Sequence, residues 1–424
     1  MARIPDRMAG VLVLIALIGL LMMMLVPAVS RSRKAARAAQ CQDNLRRFGV
    51  GFQAHAQADG QTRFCTGAYD WERDGCPDTV GWVADLVNDG FCRPIDMLCP
   101  SNPMKGLEEL QVLYSTTPMA GEGIDGSLLR AGICGEADAF VPGGRFGAEG
   151  SAKRREAIAT YILDKGYSTN YTAHWFLVRG GPKVTQEDFQ HIDGKIDGYT
   201  IRLASATSWK PRRNGATEIC TGPLKRIDVQ KSKMRVTTTP SAMIPLLADG
   251  AGSLGTNSKF ENGPYVDSLT MSFSDGPATW SYSVHKIVPV AGKVVVGRVT
   301  GLAGSTPQWT GQIYEEAQGF YYGTVGLQDS RQFTCPHNGS ANFVMADGSV
   351  REFGDQNGDK VLNPGFWAEY LRDGGYSASE EVPVGGDYSM NGYTGPPEDL
   401  PRTEVFSGLF IRNPLLEKGL PSAW

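Results

Sequence analysis

The chain opens on a continuous apolar run and then changes to a periodic one. Met8 to Ser30 ("MAGVLVLIALIGLLMMMLVPAVS") carries no charge over 23 residues. As a helix rising about 1.5 Å per residue, it is roughly 34 Å long, enough for a hydrocarbon core of about 30 Å. Beyond it, Ala38, Cys41, Leu45, Phe48 and Phe52 fall three and four apart, which is one face of an amphipathic helix. Arg31, Arg33, Lys34, Arg37, Arg46 and Arg47 supply its polar side. The pattern predicts one helix of about 50 residues. Asp59-Gly60 ends it, and Pro27 inside it predicts a bend. A cleaved signal peptide has an apolar region of only about 7–15 residues, so the longer run predicts a retained anchor.

The rest of the chain alternates over short stretches. "SLTMSFS" (268–274) reads as a strand with one buried face. "HKIVPVAGKVVVGRVTG" (285–301) predicts a hairpin around Ala291-Gly292. "ATYILDKGYSTNYTAHWFLVRGG" (159–181) predicts a strand whose aromatic residues pack in a core. Between "NFVMA" and "SVREF", Asp347-Gly348 predicts a type I′ hairpin with Met345 facing Val350. The 52 glycines and 25 prolines favour turns and short strands over a helical bundle. The expected class is α+β: a long transmembrane-plus-amphipathic helix packed on an antiparallel sheet, with a large, mostly β insertion. Four regions are expected. Residues 1–60 form the anchor and helix, 61–104 a cysteine-rich region, 105–330 the β insertion, and 331–424 a C-terminal hairpin and tail.

Charge sharpens this division. Residues 1–50 hold eight Lys/Arg and two acids, a net +6 in a chain whose total is −4. A basic stem under an acidic body argues against nucleic acid as a partner; beside an apolar span it points to lipid headgroups. The eight cysteines are Cys41, Cys65, Cys76, Cys92, Cys99, Cys134, Cys220 and Cys335. None forms a Cys-x-x-Cys and no histidine is suitably spaced, so disulfides are expected and a zinc site is not. The five histidines lack the i, i+4 spacing of a helical metal pair. With no glycine-rich phosphate loop and no Gly-x-Ser-x-Gly elbow, the chain is not expected to be an enzyme. His337 reads as a packing or hydrogen-bonding residue.

Several segments together resemble a known family. "LVPAV" (25–29), "CQDNL" (41–45) and "CPSNP" (99–103), with His337, Asp347 and Gly348 in a His-x9-Asp-Gly arrangement, are similar to motifs of a large bacterial group of pilin-like proteins. That group is related to type IV pilins and type II secretion pseudopilins. The terminal motifs cover roughly 80 residues, and the middle has no counterpart. The resemblance implies a pilin-like fold, a body outside the cytoplasm, and contacts with other pilin-like or secretion-system envelope proteins. One departure is plain. Pro5-Asp6 stands where the processing Gly-Phe is expected, and Gly10 where pilins carry a glutamate. Prepilin-type cleavage and filament assembly are therefore not expected.

Two further expectations follow. In "DQNGDKVLNPGF" (355–366), Asp355, Asn357, Asp359, Val361 and Asn363 fall at positions 1, 3, 5, 7 and 9 of a calcium-type loop. Alternate oxygens in a tight turn suit Ca2+. Lys360 replaces the usual glycine, however, and Phe366 the closing carboxylate. As to orientation, the positive charges following the span would keep the body in the cytoplasm, whereas the cysteines and the resemblance place it outside. The leading functional expectation is a membrane-anchored pilin-like structural or assembly protein. Its rival is an anchored binding module that recognises a glycan or peptide through 105–330.

Overall fold

In a computed structural model the chain is described over residues 6–117, 126–129, 131–135, 139–191, 198–203, 209, 219–226, 240–252, 269–281, 286–290, 292–298, 309–313 and 325–356, with 358, 360, 362–364, 399–401 and 404–408. Helix α1 spans Asp6–Ala58 without interruption, Pro27 included. The remaining helices are short: α2 (Trp82–Asn88), α3 (Glu109–Ser115), α4 (Gly126–Leu129), α5 (Ala152–Ile158) and α6 (Trp175–Arg179). The strands are β1 (Gly106–Leu107), β2 (Tyr171–Ala173), β3 (Val184–His191), β4 (Gly198–Leu203), β5 (Pro245–Asp249), β6 (Leu269–Thr270) and β7 (Pro277–Ser281). After these come β8 (Lys286–Pro289), β9 (Gly292–Arg298), β10 (Trp309–Ile313), β11 (Val325–Gln328), β12 (Ser340–Met345) and β13 (Val350–Gly354).

The class is α+β. A four-stranded antiparallel sheet runs β13-β12-β5-β2, and a seven-stranded one runs β3-β4-β9-β10-β11-β7-β8. A parallel pair, β1 with β6, completes the described strands. The 105–330 stretch thus supplies β2 and β5 to the same sheet as the C-terminal hairpin, as well as all of the seven-stranded sheet.

Helix α1 has two unlike halves. Among the described side chains from Val11 to Val29 the large apolar ones stand 46–78% exposed, and the helix is long and apolar enough to cross a membrane. From Cys41 onward it docks, as its periodicity predicts. Cys41, Leu45, Phe48 and Phe52 are fully buried, whereas Arg46 and Arg47 face outward. Phe48 meets Tyr171 of β2 edge-on at 5.3 Å, and Phe52 meets Trp82 of α2 at 6.2 Å. Burying one such side chain stabilises by about 1.5–3 kcal/mol, so this half is held by packing. Gly49 permits close approach to the β12–β13 hairpin, since a Cβ there would lie 2.8 Å from Val344 Cγ2 and 3.3 Å from Gly348 Cα.

Strand β12 is buried along its whole length because it separates two cores. Its side chains alternate between them with the period of two that a strand imposes. Val344 joins the α1 core, and Asn342 Oδ1 accepts a 3.0 Å hydrogen bond from Gln42 of α1. Ala341, Phe343 and Met345 join a second cluster with Phe333, Phe353 and Leu400.

Two hairpin expectations are corrected. At Asp347-Gly348 only Gly348 takes a positive φ, 87°. Gly348 N–H donates to Met345 O and Met345 N–H to Ser349 O, both at 2.8 Å. The loop therefore has three residues ending in a left-handed glycine, not a two-residue type I′ turn. The register moves with it, and Val344 rather than Met345 faces Val350. Around Ala291-Gly292 there is no hairpin: β8 pairs with β7, while β9 lies between β4 and β10. Alternation marks both strands, but pairing depends on neighbours far away in sequence. The 159–181 stretch yields the short strand β2 and then helix α6, and its Trp175 and Phe176 are fully buried core residues.

His174 caps α6 through Nδ1, which accepts from Phe176 N–H, and it stacks on Phe333. Burial drives its pKa down to about 3. The depressed value makes its contribution present above the unfolded value of about 6.5 and lost as pH falls toward 3. His174→Asn keeps a capping acceptor without titrating. Between pH 7 and 5 it is expected to remove on the order of 2 kcal/mol of acid-induced loss of stability, read from denaturant midpoints at the two pH values. Gly49→Leu is expected to lower stability by about 1–3 kcal/mol through overpacking. The exposed Val50→Leu should leave the melting temperature in detergent unchanged.

Candidate metal centre

Four side chains from four distant segments meet beneath α1. Cys41 is the first fully buried residue as α1 leaves its exposed half. Cys99 follows the 3-10 turn Pro94–Met97. Asp249 is the last residue of β5, paired with Tyr171. His337 stands at the corner of a turn leading into β12. Asn338 and Gly339 both take positive φ there, 61° and 89°, and His337 N–H donates to Ser340 O at 3.1 Å. The sequence therefore places two consecutive left-handed residues at Asn-Gly, not at Asp347-Gly348.

The donor atoms Cys41 Sγ, Cys99 Sγ, an Asp249 carboxylate oxygen and a His337 ring nitrogen all lie within 4.8 Å of one another. Cys41 Sγ is 3.2 Å from Asp249 Oδ1, His337 Nε2 is 3.2 Å from Asp249 Oδ2, and Cys99 Sγ is 3.4 Å from His337 Nε2. Cys41, Cys99 and Asp249 are fully buried, and the His337 side chain is 2% exposed. Burial opposes a charge on His337, but its hydrogen bonds to Asp249 and Cys99 outweigh this and hold its pKa at about 10. The Cys41 hydrogen bond lowers the Cys99 thiol, against burial. Cys41 is pushed far up by that same bond, by burial and by the Asp249 charge.

A second layer holds these groups in place. Asn170 Oδ1 accepts from Cys99 N–H at 2.8 Å, and its Nδ2 donates to Cys99 O at 3.1 Å and Met104 O at 3.0 Å. Asn102 Nδ2 donates to Asn170 O and Gly250 O. Asn44, one turn along α1, donates to Met97 O at 2.8 Å. The Tyr171 hydroxyl donates to Cys41 Sγ at 3.4 Å, and Asn342 N–H to Asp249 Oδ2 at 3.3 Å.

Of the residues singled out from sequence, His337 lies in this cluster. Asp347 and Gly348 lie at the opposite end of β12, where Asp347 Oδ1 accepts from Ser349 N–H and Oγ at 2.9 and 2.6 Å. In the expected calcium loop, the Asp355 carboxylate accepts from Gly358 and Lys360 N–H, both at 2.7 Å. Asn363 is buried and its N–H donates to Asp399 at 2.9 Å. Asn357, Asp359 and Val361 lie outside the described residues. The expectation against a zinc site rested on local spacing, whereas these four donors converge through tertiary structure. Disulfide formation was expected more widely. Cys76 and Cys134 form one, whereas Cys41, Cys65, Cys92 and Cys99 are thiols.

Comparison with family models, with curated proteins and with solved structures finds no match. Asn170→Ala is expected to leave the backbone groups of Cys99 and Met104 without partners. At about 1–3 kcal/mol for each buried unsatisfied group, the loss should register as a clear drop in denaturant midpoint.

Proposed function

We propose that this chain is a single-pass, membrane-anchored structural protein of the cell envelope, pilin-like in build, which works through protein–protein contacts outside the cytoplasm. The observation that carries the reading is the division of α1. Among the described residues its uncharged half buries no side chain against the body, and the next turns dock onto an antiparallel sheet. An uninterrupted helix continuing from bilayer to body gives the body a short, stiff connection to the membrane. Arg31, Arg33, Lys34 and Arg37 are exposed at the junction, where anionic headgroups would meet them. The Cys76–Cys134 disulfide supports an oxidising compartment. The partners that fit are other pilin-like or secretion-system envelope proteins. Direct contact with the bilayer falls to α1.

Two measurements test this reading. Full-length protein should stay with membranes through a carbonate wash, and its release into the soluble fraction would refute the anchor. In intact spheroplasts, added protease should digest the body. A body protected until the membrane is permeabilised would place it in the cytoplasm and refute the orientation.

A further inference from the structure

We propose that Cys41, Cys99, Asp249 and His337 form a closed, four-ligand site for one zinc ion that fastens α1 to the sheet. With zinc–sulfur bonds of about 2.3 Å and zinc–nitrogen or –oxygen bonds of about 2.0–2.2 Å, the edges of a tetrahedral site are roughly 3.2–3.8 Å. Taken at the single oxygen Asp249 Oδ2, the edges to Cys41 Sγ and His337 Nε2 are 3.5 and 3.2 Å and the Cys99–His337 edge is 3.4 Å, all in that range before any ion draws the donors together. Two sulfurs, one imidazole nitrogen and one carboxylate oxygen form a borderline-soft set, which suits zinc better than a hard cation such as calcium or magnesium.

The surroundings favour the same conclusion. Two thiols and a carboxylate share a site closed to solvent, with one imidazole as their only cationic partner among the described ligand atoms. A carboxylate buried beside two cysteine sulfurs is normally paired or bound to a metal. When zinc binds, Cys41 and Cys99 coordinate as thiolates and His337 as a neutral imidazole, and the protons these groups carried pass to solvent. No ligand position is left for water or substrate, which makes the site structural rather than catalytic. The asparagine, tyrosine and backbone donors already described fix the Cys99 loop, Cys41 and Asp249, as the outer layer of a metal site does.

A Cys41–Cys99 disulfide is the competing outcome. It would use two of the four donors and leave the convergence of Asp249 and His337 without a role. Three of the four motifs that carry the family resemblance also bear on the choice. "CQDNL" supplies Cys41, "CPSNP" supplies Cys99, and the His-x9-Asp-Gly segment supplies His337. A shared ion gives motifs so far apart one common purpose.

The test uses the full chain in detergent, purified from membranes under anaerobic conditions. Elemental analysis should find about one zinc per chain. Cobalt substitution should give the visible d–d and sulfur-to-cobalt charge-transfer bands of a tetrahedral thiolate site. This readout uses the wild-type chain, so it does not depend on a variant folding. Asp249→Asn and His337→Gln should each lower zinc retention against a competing chelator by at least about tenfold. Cys92→Ser, which alters a thiol outside the cluster, should retain zinc like the wild type. Three results would overturn the proposal: wild-type chain that takes up no zinc or cobalt after reduction, a Cys41–Cys99 disulfide in peptide maps of the membrane-purified protein, or a cobalt spectrum without sulfur charge transfer. None of these readouts depends on whether the body lies outside the cytoplasm.

Discussion

Everything in this molecule depends on one helix satisfying two solvents in turn. The N-terminal half of α1 has no protein to bury against, and its apolar side chains suit lipid. The following half presents cysteine, leucine and phenylalanine every three or four residues, and the sheet receives them. Gly49 lets the helix backbone reach the β12–β13 hairpin, while Phe48 and Phe52 engage β2 and α2. Strand β12 can be buried on both faces because α1 covers one and the cluster around Phe333, Phe343 and Phe353 covers the other. Removing the helix would strip Asn342 of its bond to Gln42 and Val344 of its contact with α1.

The long helix and its buried face were legible because they rest on local periodicity, which a sequence carries directly. The strand at 340–345 and its neighbour were legible for the same reason. Their turn was not: Asp347-Gly348 and Asn338-Gly339 look alike as dipeptides. Only the hydrogen bonds between flanking residues decide which pair takes two positive φ values. Pairing of β8 and β9 was illegible too, since strands adjacent in sequence found partners elsewhere in the sheet.

The four-donor cluster was hidden in a different way. Cys41, Cys99 and His337 each stood out, in motifs quoted for their resemblance, yet nothing in spacing could join residues 41, 99, 249 and 337. Asp249 had no signal at all, being one aspartate among many. Asn170 was equally silent, although it helps determine where the Cys99 backbone sits; Asn44 and Asn102 lie inside the quoted motifs, but nothing there announced that task. Convergence of this sort is a property of the folded chain. Local rules for zinc fingers, built on ligands a few residues apart, cannot detect it.

The position of Cys41 along α1 has a mechanical consequence. It is the first docked residue after the exposed half, so any pull on the membrane-embedded segment arrives there before it reaches Leu45, Phe48 or Phe52. A sideways pull would peel the helix from the sheet one contact at a time, beginning at Cys41. A pull along the helix axis would instead load all those contacts together in shear. A bond at the first contact matters most for peeling, because the later contacts bear no tension until it gives way. The body would then tilt with its anchor as one stiff lever, and bending would concentrate in the turns around Arg31 to Arg37, between the bilayer and the clamp.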